Sequence, residues 1–194
     1  MKNFRLSGIV ILLLNALLFS ACQPGGSKLK EGLSTISFSF PNLDNVPVSL
    51  DDPKYKGKVV IVSILGSWCP NCLDETAFLA PWYKENKDRG IEIIGLAFER
   101  KNDFNFAKRT LTRLKERFDI RYELLFAGLA STEAASKALP ALSGVAAFPS
   151  TIFIDKKGNV RKIHTGFSGP ATGKFYQEFK DEFNGFINEL VAEK

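Results

Sequence analysis

Over residues 35–40 apolar and polar side chains alternate, placing Ile36, Phe38 and Phe40 on one side of an extended chain before Pro41-Asn42 stops the pattern. A half-buried strand is predicted there, with residues 47–50 as its pairing partner. Residues 58–65 form a nearly unbroken β-branched run, the pattern of a strand covered on both faces, and lead straight into Gly66-Ser67-Trp68-Cys69. From Pro70 to about Lys87 the pattern turns helical, with Pro70 at an N-terminal position, Pro81 inside as a bend and Arg89-Gly90 as the stop. Residues 91–97 read as a second buried strand. Phe104, Ala107, Leu111, Leu114 and Phe118 then recur at spacings of 3, 4, 3 and 4, one face of a helix.

Residues 122–126 predict a short strand, and Ser131 caps a helix running to Leu139. Residues 151–154 form a strand closed by the turn Asp155-Lys156-Lys157-Gly158, and residues 160–165 return antiparallel. Phe175, Phe179, Phe183, Phe186 and Leu190 mark the stripe of a final helix. Strands alternating with helices, ending in a hairpin and a helix, predict an α/β sandwich.

The N-terminus has another character. Lys2 and Arg5 precede an apolar stretch over residues 6–19 that ends in Ser20-Ala21-Cys22, the layout of an export signal. Asn15 interrupts the stretch well short of the roughly 20 apolar residues a membrane span requires. Its end resembles a bacterial lipobox, with Phe19 where leucine is commoner. That resemblance implies removal of residues 1–21 and diacylglycerol on Cys22. Residues 22–32, opening Cys22-Gln23-Pro24-Gly25-Gly26-Ser27-Lys28, are expected to form a flexible tether, and residues 33–194 one domain.

With 45% hydrophobic residues and 17 Phe, the 194-residue chain has ample core material and needs no disulfide scaffold. The net charge of +5 falls to +3 once Lys2 and Arg5 leave with the signal, which removes no acid. No nucleic-acid partner is indicated at that charge. A lipidated Cys22 also leaves Cys69 and Cys72 as the only free pair of the three cysteines, in a disulfide-permissive compartment.

The chemistry is concentrated in Trp68-Cys69-Pro70-Asn71-Cys72 at a strand-to-helix junction. Unpaired N–H groups at a helix start favour a thiolate, so Cys69 is expected to be the attacking sulfur. Cys72, one turn further in, is placed to resolve the mixed disulfide. A structural zinc site asks for four ligands where the mature chain offers two thiols and His164, so no metal is assigned. A static staple across so short a loop would stabilise little.

The Cys69–Cys72 motif and Phe148-Pro149-Ser150-Thr151 ahead of a late strand resemble thioredoxin-fold proteins, and more narrowly the TlpA/ResA-type thiol-disulfide oxidoreductases of the bacterial envelope. The resemblance implies a thioredoxin-like α/β fold with an N-terminal β extension and an inserted βα unit. It implies a redox-active Cys69–Cys72 disulfide and a cis Pro149 facing that pair. Trp68, Phe148 and Pro149 are expected to meet substrate. Glu75, three residues after Cys72, matches an acid that handles the resolving thiol's proton. Thioredoxin itself carries a buried acid in the preceding strand where this chain has Ser63. The implied activity is disulfide exchange with envelope proteins, as a reductase recharged by a membrane electron donor and needing no cofactor. The implied location is lipid-anchored and facing the periplasm. Two alternatives remain at this stage: a copper(I)-binding assembly factor using Cys69, Cys72 and His164, and a thiol peroxidase, whose Pro-x-x-x-Thr-x-x-Cys pattern is absent around Cys69.

Overall fold

A computed structural model describes residues 26–193, so the expected signal and Cys22 lie outside the described residues. In chain order the elements are β1 (Ser39–Pro41), β2 (Pro47–Ser49), β3 (Val59–Leu65), α1 (Pro70–Asn86), β4 (Ile91–Glu99), α2 (Phe104–Phe118), β5 (Glu123–Leu129), α3 (Thr132–Ala138), β6 (Ser150–Ile154), β7 (Val160–Thr165) and α4 (Lys174–Ala192). A five-stranded sheet runs β5-β4-β3-β6-β7. Strands β3, β4 and β5 are parallel, while β6 lies antiparallel to β3 and β7 antiparallel to β6. The pair β1–β2 stands apart as a separate hairpin.

The β-branched run has its predicted consequence in β3, where every residue is buried. Its side chains divide by alternation. Val59, Ile61 and Leu65 pack on one face with residues of α1, α2 and α4, whereas Val60, Val62 and Ile64 pack on the other with Ile36, Phe38, Leu139 and Leu142. Ser63 is the polar exception in this strand and lies on the α1 side. The last β3 residue is followed by Gly66-Ser67-Trp68, so the strand delivers Cys69 directly to the start of α1.

Opposite that end, the β6–β7 turn is organised by Asp155. Its carboxylate accepts the N–H groups of Lys157 and Asn159, each at 2.9 Å, and pairs with Arg161 at 3.4 Å. Lys156 Nζ donates to the Val191 and Glu193 carbonyls at 2.6 and 2.9 Å, holding the last turn of α4.

Three expectations need correction. The strand predicted over residues 35–40 forms ladder bonds only from Ser39 to Pro41; Ile36 and Phe38 are buried by packing on the main sheet instead. Phe175 is 55% exposed and does not join the α4 stripe, because it precedes the turn at which that helix reaches the sheet. The tether also ends before residue 32. From Ser27 the chain is hydrogen-bonded into the domain, and Leu29 bridges Leu142.

Phe183 is the hub of the α4 contact, with its ring meeting Phe78, Trp82 and Phe153 at 5.1, 5.0 and 5.6 Å between centroids, all steeply inclined. Phe183→Ala is therefore expected to lower unfolding free energy by about 3–5 kcal/mol. Urea denaturation with an unchanged m-value is the measurement; a loss under about 1 kcal/mol would mean that α4 contributes little to the core.

Candidate active site

Cys69 is the N-cap of α1, and its sulfur accepts the Cys72 N–H at 3.4 Å. Pro70 occupies the first helical turn, where its missing N–H costs nothing. The two cysteines stand as free thiols. Cys69 is only 6% exposed, less open than an attacking thiol was expected to be, and Cys72 falls to 1%. The cover comes from the surrounding loop ends. The Cys69 thiol lies 3.7 Å from the Phe148 carbonyl, and the Phe148–Pro149 peptide is cis. The Pro149 carbonyl is occupied by the Gly166 N–H at 2.8 Å.

Trp68 and Phe148 form one wall. Trp68 Nε1–H donates to the Phe98 carbonyl at 2.9 Å, while its ring meets Phe148 edge-on at 5.7 Å. Phe148 also meets Phe98 at 5.8 Å and packs against both hydrophobic clusters. It is thus both a core aromatic and a wall beside Cys69. A Cβ at Gly66 would run into Trp68 Nε1, so glycine there is what lets the indole fold back over the strand end.

Beneath Cys72 lies Glu75, 2% exposed rather than a solvated helix-start carboxylate. Ser63 Oγ and Thr151 Oγ1 each donate to one of its oxygens at 2.6 Å. These two hydroxyl residues are direct partners across β3 and β6, so a single cross-strand pair holds the acid. Burial pushes the Glu75 carboxyl up to about 6 from 4.5, with the two hydroxyls pulling the other way. Burial also pushes the Cys72 thiol far above its ordinary range, and the neighbouring Cys69 sulfur and the Glu75 charge add to the effect.

Sequence reasoning missed two features. Glu99, 1% exposed at the end of β4, accepts the Ser67 N–H at 3.0 Å and Ser67 Oγ–H at 2.7 Å, fixing the loop before Cys69. Glu99 is thus a second buried acid near the site, and it is bonded to Ser67. Nor was Thr151 recognised as a Glu75 ligand, although a threonine opposite the one polar residue of a buried strand is a readable signal.

His164 is directed elsewhere. It meets Phe179 at 5.5 Å in a small cavity with Phe153, Lys162 and Glu182, where burial, then the Lys162 charge, lowers its pKa. Among the described residues no three His, Cys, Asp or Glu side chains are grouped to hold a metal ion, so the copper arrangement lacks its ligand set there.

Residues 30–177 match the Redoxin family. The chain belongs to that family. It is similar to the thiol-disulfide oxidoreductase ResA of Bacillus subtilis, 25% identical over 168 residues that cover 85% of this chain and 86% of that protein. ResA of Halalkalibacterium halodurans is likewise 25% identical over 157 residues, covering 80% and 78%. Among solved structures, a thioredoxin-family thiol:disulfide interchange protein from Chlorobium tepidum superimposes with a TM-score of 0.59 at 22% identity, covering 82% of this chain and 96% of that one. The fold is thus thioredoxin-like, and this Redoxin-family chain is a thiol-disulfide oxidoreductase of the TlpA/ResA type.

Because Glu75 is happiest neutral, its native pKa lies above its unfolded one. The stability tied to it is present below about pH 4.5 and lost as pH rises through about 6. Glu75→Gln keeps the shape and removes the titration. The variant is expected to equal the parent in stability near pH 4 and to exceed it by about 2 kcal/mol at pH 8, measured by denaturation across pH. Parallel curves would show a carboxylate that is solvated in the native state.

Proposed function

We propose that this chain is a lipid-anchored thiol-disulfide reductase of the bacterial envelope, acting on protein disulfides and recharged by a membrane electron donor. The observation that carries this reading is the asymmetry of the pair: Cys69 caps the helix beside Phe148 and Pro149, while Cys72 is sealed above a buried acid. Exchange then runs in two steps. The Cys69 thiolate attacks a substrate disulfide, forms a mixed disulfide and releases one substrate thiolate, which takes up a proton. Cys72 then attacks Cys69 Sγ, expelling the second substrate thiolate and leaving the Cys69–Cys72 disulfide.

The second step requires the Cys72 proton to leave. Two negative charges so close in a poorly polarisable core repel each other, so loss of that proton is coupled to protonation of Glu75. Glu75 is accordingly the base for resolution, and Ser63 and Thr151 fix its position. Trp68 and Phe148 supply the apolar wall against which a substrate segment lies.

The reductase direction rests on the resemblance to TlpA/ResA-type oxidoreductases of the envelope, and the potential of the Cys69–Cys72 couple tests it. The Ser20-Ala21-Cys22 sequence supports the lipid anchor and, with it, the envelope location.

Cys69 is expected to be alkylated at least tenfold faster than Cys72 at neutral pH, and Cys72→Ser to accumulate mixed disulfides that Cys69→Ser does not. Trapping by Cys69→Ser alone would reverse the roles. Equilibration with glutathione should place the couple at or below about −250 mV; a potential near −120 mV would make the protein an oxidant.

A further inference from the structure

Ser27 is pinned into the fold at one place. Its N–H donates to Thr165 Oγ1 at 3.2 Å, its Oγ accepts the Ala146 N–H at 3.0 Å, and the residue is 6% exposed. The next residues continue the attachment, since Ser143 N–H donates to the Lys28 carbonyl at 2.7 Å and Lys30 N–H to the Ala141 carbonyl at 2.9 Å. Both partners of Ser27 belong to the redox end of the molecule. Thr165 faces Ser150 across β6 and β7, and Gly166 beside it donates to Pro149. Ala146 stands two residues before Phe148, whose carbonyl lies against Cys69.

Four residues, Gln23-Pro24-Gly25-Gly26, separate Cys22 from Ser27. Even fully extended, that stretch lets the Cys22 Cα lie no more than about 18 Å from that of Ser27. A lipid on Cys22, as in the proposed function on which this inference rests, would therefore tie the sheet end bearing Pro149 and Cys69 to the bilayer surface. A leash attached at the Asp155 turn would do the reverse.

We propose that residues 27–30 are an orienting clip that fixes which end of the domain faces the membrane, so that Cys69 reaches a disulfide partner held at the lipid headgroups faster than it would on a freely swivelling tether. The apolar character of this end suits such a partner: Trp68 and Phe148 are partly buried there, and Leu129, 44% exposed, ends β5 on the same side of the sheet.

The test uses the full lipidated protein, reduced and placed in vesicles of phosphatidylethanolamine and phosphatidylglycerol that include a lipid with a pyridyl-disulfide headgroup. Reduction of that probe consumes the Cys69–Cys72 dithiol and yields thiopyridone and a lipid thiol, two electrons and two protons passing from protein to probe. A flexible insert of about 20 Gly and Ser residues between Gly25 and Gly26 should slow the headgroup reaction roughly tenfold and leave the rate with a water-soluble pyridyl disulfide unchanged. An equal or faster headgroup reaction with the insert overturns the inference while leaving the lipoprotein reading intact. Mass spectrometry showing no lipid on Cys22 overturns both.

Discussion

One buried carboxylate joins the three elements that make the redox centre. Glu75 belongs to α1, Ser63 to β3 and Thr151 to β6, and the two hydroxyls that hold the acid face each other across the ladder. Removing an acid from water is tolerable only when its oxygens are satisfied, so the helix must sit over this cross-strand pair and no other. The position of Cys72 follows, because it lies one helical turn before Glu75. So does that of Cys69, which closes the same turn by accepting the Cys72 amide. An interaction that is costly in folding terms thereby sets the geometry of the sulfurs.

Much of this was legible in the sequence because it follows from periodicity. The β-branched run of β3, the 3-4 spacing of α2 and the Ser131 cap of α3 all appear where the pattern puts them. The cysteine pair was legible for a different reason, since two thiols three positions apart at a strand end allow few chemistries. The cis Pro149 came from resemblance, as no local pattern specifies the isomer. What escaped was non-local. The burial of Glu75 depends on Ser63 and Thr151, 12 and 76 residues away, and the Glu99–Ser67 latch spans 32.

The start of the domain escaped for a related reason. Residues 26–32 are polar and rich in glycine, which by composition alone reads as a linker. Their order comes from backbone groups that pair with the loop before Pro149, and backbone pairing leaves little trace in side-chain identity. Phe148 shows the converse: a bulky residue beside Cys69 also packs against both hydrophobic clusters, so one ring is shared between the wall of the site and the core.

The Asp155 turn gives the molecule a polarity in its response to acid. Burial pushes that carboxyl up, but the Asn159 and Lys157 amides, the Asn159 side chain and Arg161 together outweigh it and leave the pKa below the usual value. Its contribution is complete above the ordinary aspartate range and disappears as pH falls. The redox end carries an acid most comfortable uncharged, and the far end one most comfortable charged. Acidification therefore weakens the Asp155 turn at one pole while it favours the neutral form of Glu75 at the other.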